Sequence, residues 1–519
     1  MKRKTLKNIF LWFIWALFYG LSYPTYNLNF LIWFAFSFVL YFVYSEPLYK
    51  TVFYSYFFSF IYFILTLYWL YGFWFPAPFM LFPVMAIYYS FAFLSTGLIA
   101  KKFPKLRVLA LPVSWIAMEF FKDVGFHGFH WNLVGDTQWN NPLLVQNADL
   151  FSVWGISFLI LLVNSVITEV LISYRKERNL KKAFGKNVIL LCITSLLIVF
   201  SLVYGFFAKG KWEKIIKNSS KERVALLQPN IGSREVWWSK RWYYYGIFWR
   251  IHAEAMLKEP EVIFWSETMV RNYIWYYLKK TSENDEVYRF NIRFVKMPQE
   301  FGVPILITSP DTEDGVKNYN TADYVDPDMK EIQRNAKIHL VPFGEWMPGY
   351  DRVPILKKIM EIEGAGSFVP STNWNVIKGR KAKFRVLVCY EDVFPDLARK
   401  FIPKGLNYFV NVTDDGWAYQ LGFTHPMYQH TALATITAVS VRRPIARAAN
   451  SGVTGIILPD GKLIGNIGTY NRGFFVGEIP LIDEKITTFY VKIGYIFPYI
   501  IFVFYVIIYL FALLKRKEK

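Results

Sequence analysis

Long apolar runs divide this chain into two kinds of sequence. A helix that crosses a bilayer needs about 20 mainly apolar residues, and eight stretches approach that length: residues 9–22, 28–45, 52–74, 77–100, 107–121, 153–173, 188–208 and 489–514. The chain is 54% hydrophobic, above the roughly 45–50% apolar content of soluble proteins. We therefore expect seven membrane spans in residues 1–208, a globular domain in 209–488, and a closing span with a short tail in 489–519.

The distribution of basic residues predicts the orientation of these spans. Four basic residues precede the first apolar run, but no small-x-small cleavage pattern follows it, so we expect a retained helix and not a cleaved signal peptide. Lys and Arg cluster in alternate connections: the N-terminus, residues 101–107, residues 175–186 and residues 515–519. Because such clusters favour the cytoplasmic side, both termini should be cytoplasmic and the globular domain should lie on the other side.

Charge and cysteine content exclude several classes of function. The net charge is +20, but most of the excess lies in the clusters that set the orientation, and no nucleic-acid-binding motif accompanies it. The six histidines lack zinc spacing, and the glycine cluster at 364–367 matches neither the P-loop nor the dinucleotide pattern. We therefore expect no nucleic-acid partner, metal or nucleotide cofactor.

The two cysteines, Cys192 and Cys389, lie in different regions, so Cys389 should remain a free thiol.

The globular domain has the pattern of a layered α/β fold. Strand-like runs occur at 224–230, 261–268, 303–310, 320–327, 336–345, 384–392, 407–415, 443–450 and 454–461. Several are continuous apolar runs, as expected for strands that are covered on both faces. We therefore predict sheets with helices on one face and a second sheet layer on the other.

Three of these runs carry a reactive side chain at one end. Glu267 closes the run at 261–268, Lys337 opens the run at 336–345, and Cys389 closes an apolar Val/Leu run. Each alone has an ordinary explanation, as a core cysteine or as a charged residue at a solvated rim. Strand ends that share one edge of a sheet are, however, where α/β folds collect their catalytic groups. The coincidence of all three predicts one shared site.

The three residue types suit nucleophilic acyl chemistry. A free cysteine has a pKa near 8.5, so a nucleophilic Cys389 needs a base and a neighbouring positive charge. Glu267 can act as the base if burial raises its pKa. Lys337 can stabilise the thiolate and then, with the backbone N–H of Tyr390, the oxyanion that forms when a carbonyl is attacked.

The sequence around these residues resembles a known family. FWSET (264–268), HLVPFGEWMP (339–348), VLVCYEDVFP (386–395) and NVTDDGW (411–417) are similar to the Glu-Lys-Cys signature of the nitrilase superfamily. The flanking spans narrow the resemblance to the membrane-bound apolipoprotein N-acyltransferases. It implies a multi-pass α-helical domain in the bacterial inner membrane and a nitrilase-like αββα domain on the periplasmic side.

The resemblance also implies a reaction and its substrates. Cys389 would attack the ester of a phospholipid, form a thioester and release a lysophospholipid. The N-terminal amine of a diacylglyceryl-cysteine in an apolipoprotein would then take the acyl chain, with Glu267 as the proton acceptor. Two alternatives remain at this point: a membrane-tethered nitrilase-type amidase, in which water resolves the thioester, and a transporter or scaffold with an extracytoplasmic domain.

Further residues are assigned through the same resemblance. Glu345 would orient Lys337 or assist proton transfer, although it could be an ordinary loop acid. Tyr390 and Glu391 would pack beneath the nucleophile, with Glu391 alternatively an ion-pair partner. The aromatic residues Trp237 and Trp417 would line the substrate pocket, or pack in the core.

Two segments depart from the family pattern, and two others are candidate lids. Where the family usually has Asn-Asp-Ala-Trp-Phe-Gly, residues 414–419 read Asp-Asp-Gly-Trp-Ala-Tyr, and the usual Arg-Ala-Ile-Glu segment is replaced within 435–444. These changes touch pocket shape and helix docking and leave the three reactive residues in place. The insert 343–372 and the aromatic connector 71–79 are expected to form apolar lids, with a plain surface loop as the alternative for the insert.

Overall fold

The computed structural model describes residues 2–73, 77–124, 128–232, 237–342, 344–346, 368–416 and 422–515. The chain folds into two compact units. One comprises residues 1–211 with 488–519, and the other comprises residues 212–487.

The first unit is helical. Its helices are α1 (Lys2–Ser22), α2 (Ile32–Ala35), α3 (Ser37–Ser45), α4 (Leu48–Leu67), α5 (Leu70–Phe73), α6 (Ala77–Lys102), α7 (Arg107–Asp123), α8 (Ala148–Glu177), α9 (Leu180–Lys186) and α10 (Val188–Asn218), which extends beyond the unit. Two closing helices follow much later in the chain, Phe489–Ile493 and Ile496–Leu514.

Among the residues that the structure describes, six helical segments are long and apolar enough to cross a membrane. They are Arg3–Ser22, Leu48–Leu67, Ala77–Lys102, Val145–Glu177, Val188–Asn218 and Ile496–Leu514. The chain is therefore a multi-pass membrane protein. The predicted spans at 28–45 and 107–121 correspond to shorter helices, within Asn29–Ser45 and Arg107–Asp123, so the count of eight spans stays a prediction.

Aromatic side chains form much of the interior of this helical unit. Trp15, Tyr19 and Tyr62 have no exposed surface. The Trp15 ring meets Phe93 edge to face, with ring centroids 5.1 Å apart, and Tyr19 stacks on Tyr62 at 4.2 Å. Offset stacking and edge-to-face contacts are the favoured geometries of aromatic pairs, so the 20% aromatic content is used here for helix packing.

The described residues of the second unit form two six-stranded sheets. The first has the order β12-β1-β2-β3-β4-β5, with β1 (Lys221–Gln228), β2 (Val262–Phe264), β3 (Ile305–Thr312), β4 (Asn318–Val325), β5 (Ile332–Ala336) and β12 (Gly473–Pro480). The second has the order β11-β10-β9-β8-β7-β6, with β6 (Ile377–Lys378), β7 (Lys383–Val388), β8 (Tyr408–Thr413), β9 (Ile445–Ala449), β10 (Gly455–Ile457) and β11 (Leu463–Ile464). The central strands β1-β2-β3 and β7-β8-β9 are parallel.

The two sheets face each other, and helices cover their outer faces. Along β1, Val224 and Leu226 point into a core shared with β7 and β8, whereas Ala225 and Leu227 point to a core formed with the helix layer. This alternation is the period of two expected of a strand. The helices in the described part of this unit are α11 (Arg241–Met256), α12 (Ile274–Lys280), α13 (Glu286–Phe301), α14 (Pro395–Arg399) and α15 (His425–Val441). The predicted layered α/β sandwich is confirmed.

One predicted strand is wrong. The sequence predicts a strand at 336–345 that Lys337 opens, but β5 ends at Ala336 and Lys337 follows it. The ladder stops because the next two backbone N–H groups, those of Ile338 and His339, donate to the Glu391 carboxylate and not to a neighbouring strand.

Candidate active site

Strand direction brings Glu267 and Lys337 to one edge of the first sheet. β5 is antiparallel to β4, and β4 is antiparallel to β3, so β5 runs in the same direction as β2 and β3. Glu267 lies three residues beyond the end of β2, and Lys337 lies directly after β5. Asn320, near the start of the intervening strand β4, lies at the same edge and accepts the Lys337 backbone N–H through its carbonyl oxygen.

The Glu267 carboxylate is held by two donors. The Asn320 side-chain amide donates to Oε1 at 2.7 Å, and the backbone N–H of Asp414 donates to Oε2 at 2.8 Å. The Lys337 ammonium lies 3.9 Å from Oε1. Each oxygen is therefore fixed in direction by a neutral hydrogen-bond donor, and the cation stands just outside hydrogen-bond distance.

The surroundings of Glu267 raise the pKa of its carboxyl group into the neutral range. Burial raises the pKa of its carboxyl group to about 7, with the negative charges of Glu345 and Asp414 acting in the same direction. The Lys337 ammonium and the Asp414 N–H oppose this rise. A carboxyl group with a pKa near the working pH can both take and return a proton, which is what general acid–base catalysis requires.

Lys337 is a buried ammonium between carboxylates. Its Nζ lies 2.8 Å from the Glu345 carboxylate, and its side chain is 1% exposed. Burial alone would lower the pKa of Lys337, but the negative charges of Glu345, of Cys389 when it is ionised, and of Glu267 raise it well above its usual value. The group is therefore positively charged at neutral pH.

Glu345 is anchored to the loop that follows Lys337. Its carboxylate accepts the backbone N–H of Val341 at 2.8 Å, besides its contact with the ammonium. The Asn320 amide lies 3.4 Å from Glu345 Oε1, so Asn320 joins the two carboxylates that flank Lys337.

Cys389 follows β7 with its backbone in the left-handed region, at a φ of +53°. Such a conformation is uncommon for a residue with a side chain, and here it begins a tight 3₁₀ turn, Cys389–Val393. The Cys389 carbonyl accepts the Asn411 side-chain amide at 2.9 Å, and the Thr413 hydroxyl lies 3.4 Å from the sulfur. These two contacts from β8 therefore hold the strained turn in place.

The Cys389 thiol is neutral at rest. Burial raises the pKa of the thiol well above its usual value, and the charge of Glu267 adds to the rise. The Lys337 ammonium acts against it. The sulfur, the ammonium and the carboxylate therefore share one electrostatic environment.

Glu391 joins the Lys337 loop to the strand that ends at the cysteine. One carboxylate oxygen accepts the N–H groups of Ile338 and His339 at 2.6 and 2.9 Å, and the other accepts the N–H of Val388 at 2.7 Å. These three bonds fix the backbone on both sides of the site. Tyr390 is largely buried, and its ring meets Phe394 edge to face at 4.8 Å.

The structure describes one of the two aromatic residues predicted to line the pocket. Trp237 is 6% exposed and lies in the core under the helix layer, with its ring 5.6 Å from Phe290 and 6.2 Å from Tyr244. A substrate contact for Trp237 stays a prediction. Trp417 lies outside the described residues, as do most of the insert 343–372 and the centre of the connector 71–79.

A second group of buried charges, not predicted from the sequence, lies behind Cys389. Arg447 of β9 donates to Asp392 and Asp415 at 2.7 and 2.8 Å, and the His430 ring nitrogens lie 2.7 and 2.8 Å from the same two carboxylates. Arg447 also donates to the Asn411 side chain at 2.9 Å. The only sequence signal was the second acid of TDD (413–415).

Within the described ranges, no group of three His, Cys, Asp or Glu side chains is placed to hold a metal ion.

Two family models match the chain. Residues 15–166 match the apolipoprotein N-acyltransferase N-terminal domain, and residues 223–485 match the carbon-nitrogen hydrolase domain. The two matches fall in the helical unit and in the two-sheet unit, respectively.

Similar proteins include two named acyltransferases and a solved amidase. An apolipoprotein N-acyltransferase of Geobacter metallireducens is 30% identical over 76% of this chain and 71% of its own length. Apolipoprotein N-acyltransferase 1 of Treponema denticola is 26% identical over 94% of this chain and 93% of its own. The crystal structure of an amidase from Nesterenkonia sp. is 18% identical, with a TM-score of 0.37, over 51% of this chain and 92% of that one.

Proposed function

Because this chain belongs to the apolipoprotein N-acyltransferase family, we propose that it moves an acyl chain from a phospholipid, through a thioester on Cys389, to the N-terminal amine of a diacylglyceryl-cysteine in an apolipoprotein. The observation that carries this proposal is the position of Lys337, whose charge is held by Glu345 and interacts with both Glu267 and Cys389. Nucleophile, base and cation are the three groups that the reaction needs.

In the first half-reaction, Glu267 takes the S–H proton and the sulfur attacks the ester carbonyl of the phospholipid. A C–S bond forms, and the carbonyl oxygen becomes an oxyanion that the Lys337 ammonium and the Tyr390 backbone N–H stabilise. Collapse of this intermediate breaks the C–O bond. The lysophospholipid leaves as an alcohol after it takes the proton back from Glu267, and the acyl chain remains on Cys389.

In the second half-reaction, the acceptor amine attacks the thioester. The C–N bond forms, Glu267 takes a proton from the attacking nitrogen, and the C–S bond breaks. The departing thiolate then receives the proton held by Glu267, which restores the neutral thiol and the carboxylate. The pKa of Glu267, raised by burial to about 7, supports this shuttle because the proton is neither held too tightly nor released too early.

Glu345 and Glu391 act as positioning residues in this proposal. Glu345 holds the ammonium at 2.8 Å, and Glu391 ties the backbone after Lys337 to the backbone before Cys389. Neither needs to touch the substrate. Asn320 has a related position, since its amide contacts both Glu267 and Glu345.

Anchoring in a membrane fits a phospholipid donor. An acyl chain gains about 0.8 kcal/mol of burial per CH₂ group, so removing a whole lipid from the bilayer would be costly for an unanchored enzyme. We place the protein in the bacterial inner membrane, with the catalytic domain on the periplasmic side and both termini in the cytoplasm, because the basic clusters favour that orientation.

The test is to incubate the full-length protein in detergent with a phospholipid labelled in its acyl chain. A hydroxylamine-sensitive adduct is expected on the parent and on Cys192→Ser, which removes the exposed thiol of α10, and no adduct is expected on Cys389→Ala. An adduct that persists in Cys389→Ala would remove this cysteine from the mechanism. Discharge by water as fast as by a lipopeptide amine would favour a hydrolytic amidase instead.

A further inference from the structure

Thr413 places a hydroxyl group between the Cys389 sulfur and a buried carboxylate. Its Oγ1 lies 3.4 Å from Cys389 Sγ and 3.0 Å from Asp415 Oδ1, and the residue is completely buried. The arrangement follows from strand pairing. β7 and β8 are parallel, with Val388 opposite Val412, so the next residue on each strand, Cys389 and Thr413, meets the other at the same sheet edge.

The neighbouring carboxylate fixes the direction of the Thr413 hydrogen bond. Asp415 accepts bonds from Arg447 and His430, each at 2.8 Å. Burial opposes its ionisation, but these two partners hold the pKa of Asp415 at about 2. An ionised carboxylate can only accept, so in the hydrogen bond between these two side chains Thr413 is the donor of its single hydrogen. The hydroxyl oxygen then has lone pairs free to accept the S–H of a neutral Cys389.

We infer that Thr413 is a further catalytic residue, whose hydroxyl accepts the S–H of the resting thiol and turns its own hydrogen toward the sulfur when the thiolate forms. The inference rests on the proposed function and adds to it a contact on the reacting atom. The S–H proton leaves for Glu267, whereas the hydroxyl hydrogen stays on Thr413 throughout. Asp415 is the positioning residue that holds the hydroxyl in the resting state.

The rotation costs Asp415 little. When the hydroxyl turns away, Asp415 still accepts from the Arg447 guanidinium and the His430 ring. The thiolate, in contrast, gains a hydrogen bond to an ionised sulfur, and such charge-assisted bonds are roughly twice as strong as neutral ones. The hydroxyl should therefore favour thiolate over thiol and speed attack on the acyl donor.

The test measures the acidity and reactivity of Cys389 directly. In a Cys192→Ser background, alkylation of Cys389 by iodoacetamide is followed by mass spectrometry across the pH range in which the thiol titrates. Thr413→Val removes the hydroxyl at almost constant volume. We expect its alkylation midpoint to rise by about one pH unit and its rate at neutral pH to fall about tenfold, the effect of losing one hydrogen bond to a charged group. Thr413→Ser, which keeps the hydroxyl, should behave as the parent.

A matched control is Thr435→Val. Thr435 is also buried in this unit, but its hydroxyl donates to the Thr431 carbonyl within α15, so the midpoint should not move. If Thr413→Val lowers the melting temperature strongly, Thr413→Ala removes the same oxygen and is judged by the same midpoint, which a purely structural role would leave in place. An unchanged midpoint in the valine or alanine variant, or a serine variant that reacts like valine, overturns the inference.

These outcomes separate the inference from the proposed function, because alkylation needs no acyl donor. A shifted midpoint without any phospholipid adduct on the parent would reject the acyltransferase mechanism and keep the role of Thr413 at the thiol. A normal adduct with an unshifted midpoint would reject the role of Thr413 alone.

Discussion

Glu267 and Lys337 lie 3.9 Å apart, measured from Oε1 to Nζ. At that distance the two groups attract each other electrostatically, but they do not share a hydrogen bond. The ammonium instead makes its short contact with Glu345, at 2.8 Å. A direct ion pair would lower the pKa of Glu267, so the separation is compatible with the raised pKa of the proposed base, while the other carboxylate anchors the ammonium.

The first prediction concerns pH. Because burial raises the pKa of Glu267 to about 7, this group is protonated, and unable to take the thiol proton, below that pH. The rate of adduct formation with labelled phospholipid should therefore rise with pH and level off above about 7, falling about tenfold for each unit below it. Glu267→Gln should lower the plateau by about 10²-fold or more. A parent rate that is flat through the neutral range would contradict this assignment.

The second prediction concerns Glu345. Glu345→Gln removes the charge that holds the Lys337 ammonium, so the ammonium should shift toward Glu267 and the base should weaken. We expect the rate of adduct formation to fall about tenfold to a hundredfold, the range for loss of a buried charge contact of about 1.5–3 kcal/mol. The matched control is Glu313→Gln, which neutralises an exposed carboxylate of the same unit and should leave the rate unchanged. Equal rates for the two variants would show that Glu345 is an ordinary loop acid.

The layered fold could be predicted because its strands appear as apolar runs in short segments of the sequence. Continuous apolar runs identified β1, β3, β7 and β8 to within a few residues. β12 (Gly473–Pro480) was not predicted: it lies near the end of the domain, is only partly buried and lacks a continuous apolar run, yet it pairs with β1 along its whole length. Its position is set by the partner strand and not by its own composition.

The candidate site, like the fold, could be predicted only in part. Glu267 and Cys389 follow predicted strands, and Lys337 lies beside a motif of the family resemblance, so the sequence was sufficient to identify all three. The groups that orient them were not, because a side-chain amide such as Asn320, or the backbone N–H of Asp414, gives no signal in sequence. The strand predicted at 336–345 is wrong for the same reason: Glu391, distant along the chain, accepts the N–H groups that would have continued β5 beyond Ala336.

The third prediction concerns Glu391 as the connection between the Lys337 loop and the Cys389 strand. Its carboxylate accepts three backbone N–H groups, and Gln has one acceptor oxygen in place of two. Glu391→Gln should therefore leave at least one buried N–H without a partner, at a cost of about 1–3 kcal/mol, and should lower the melting temperature as well as the rate of adduct formation. Differential scanning fluorimetry measures the first effect. A stable variant with parental rate would show that these bonds are dispensable.

The fourth prediction concerns orientation in the membrane. In a background carrying Cys192→Ser and Cys389→Ala, a single new cysteine is introduced either by Val316→Cys, at a position that is 75% exposed in the two-sheet unit, or by Lys181→Cys, in the exposed α9 of the basic segment 175–186. A maleimide that cannot cross the inner membrane should modify the first in cells with a permeabilised outer membrane, and the second only after the inner membrane is also opened. Since basic segments stay on the cytoplasmic side, the opposite result would invert the proposed orientation and put the catalytic domain in the cytoplasm, away from an extracytoplasmic acceptor.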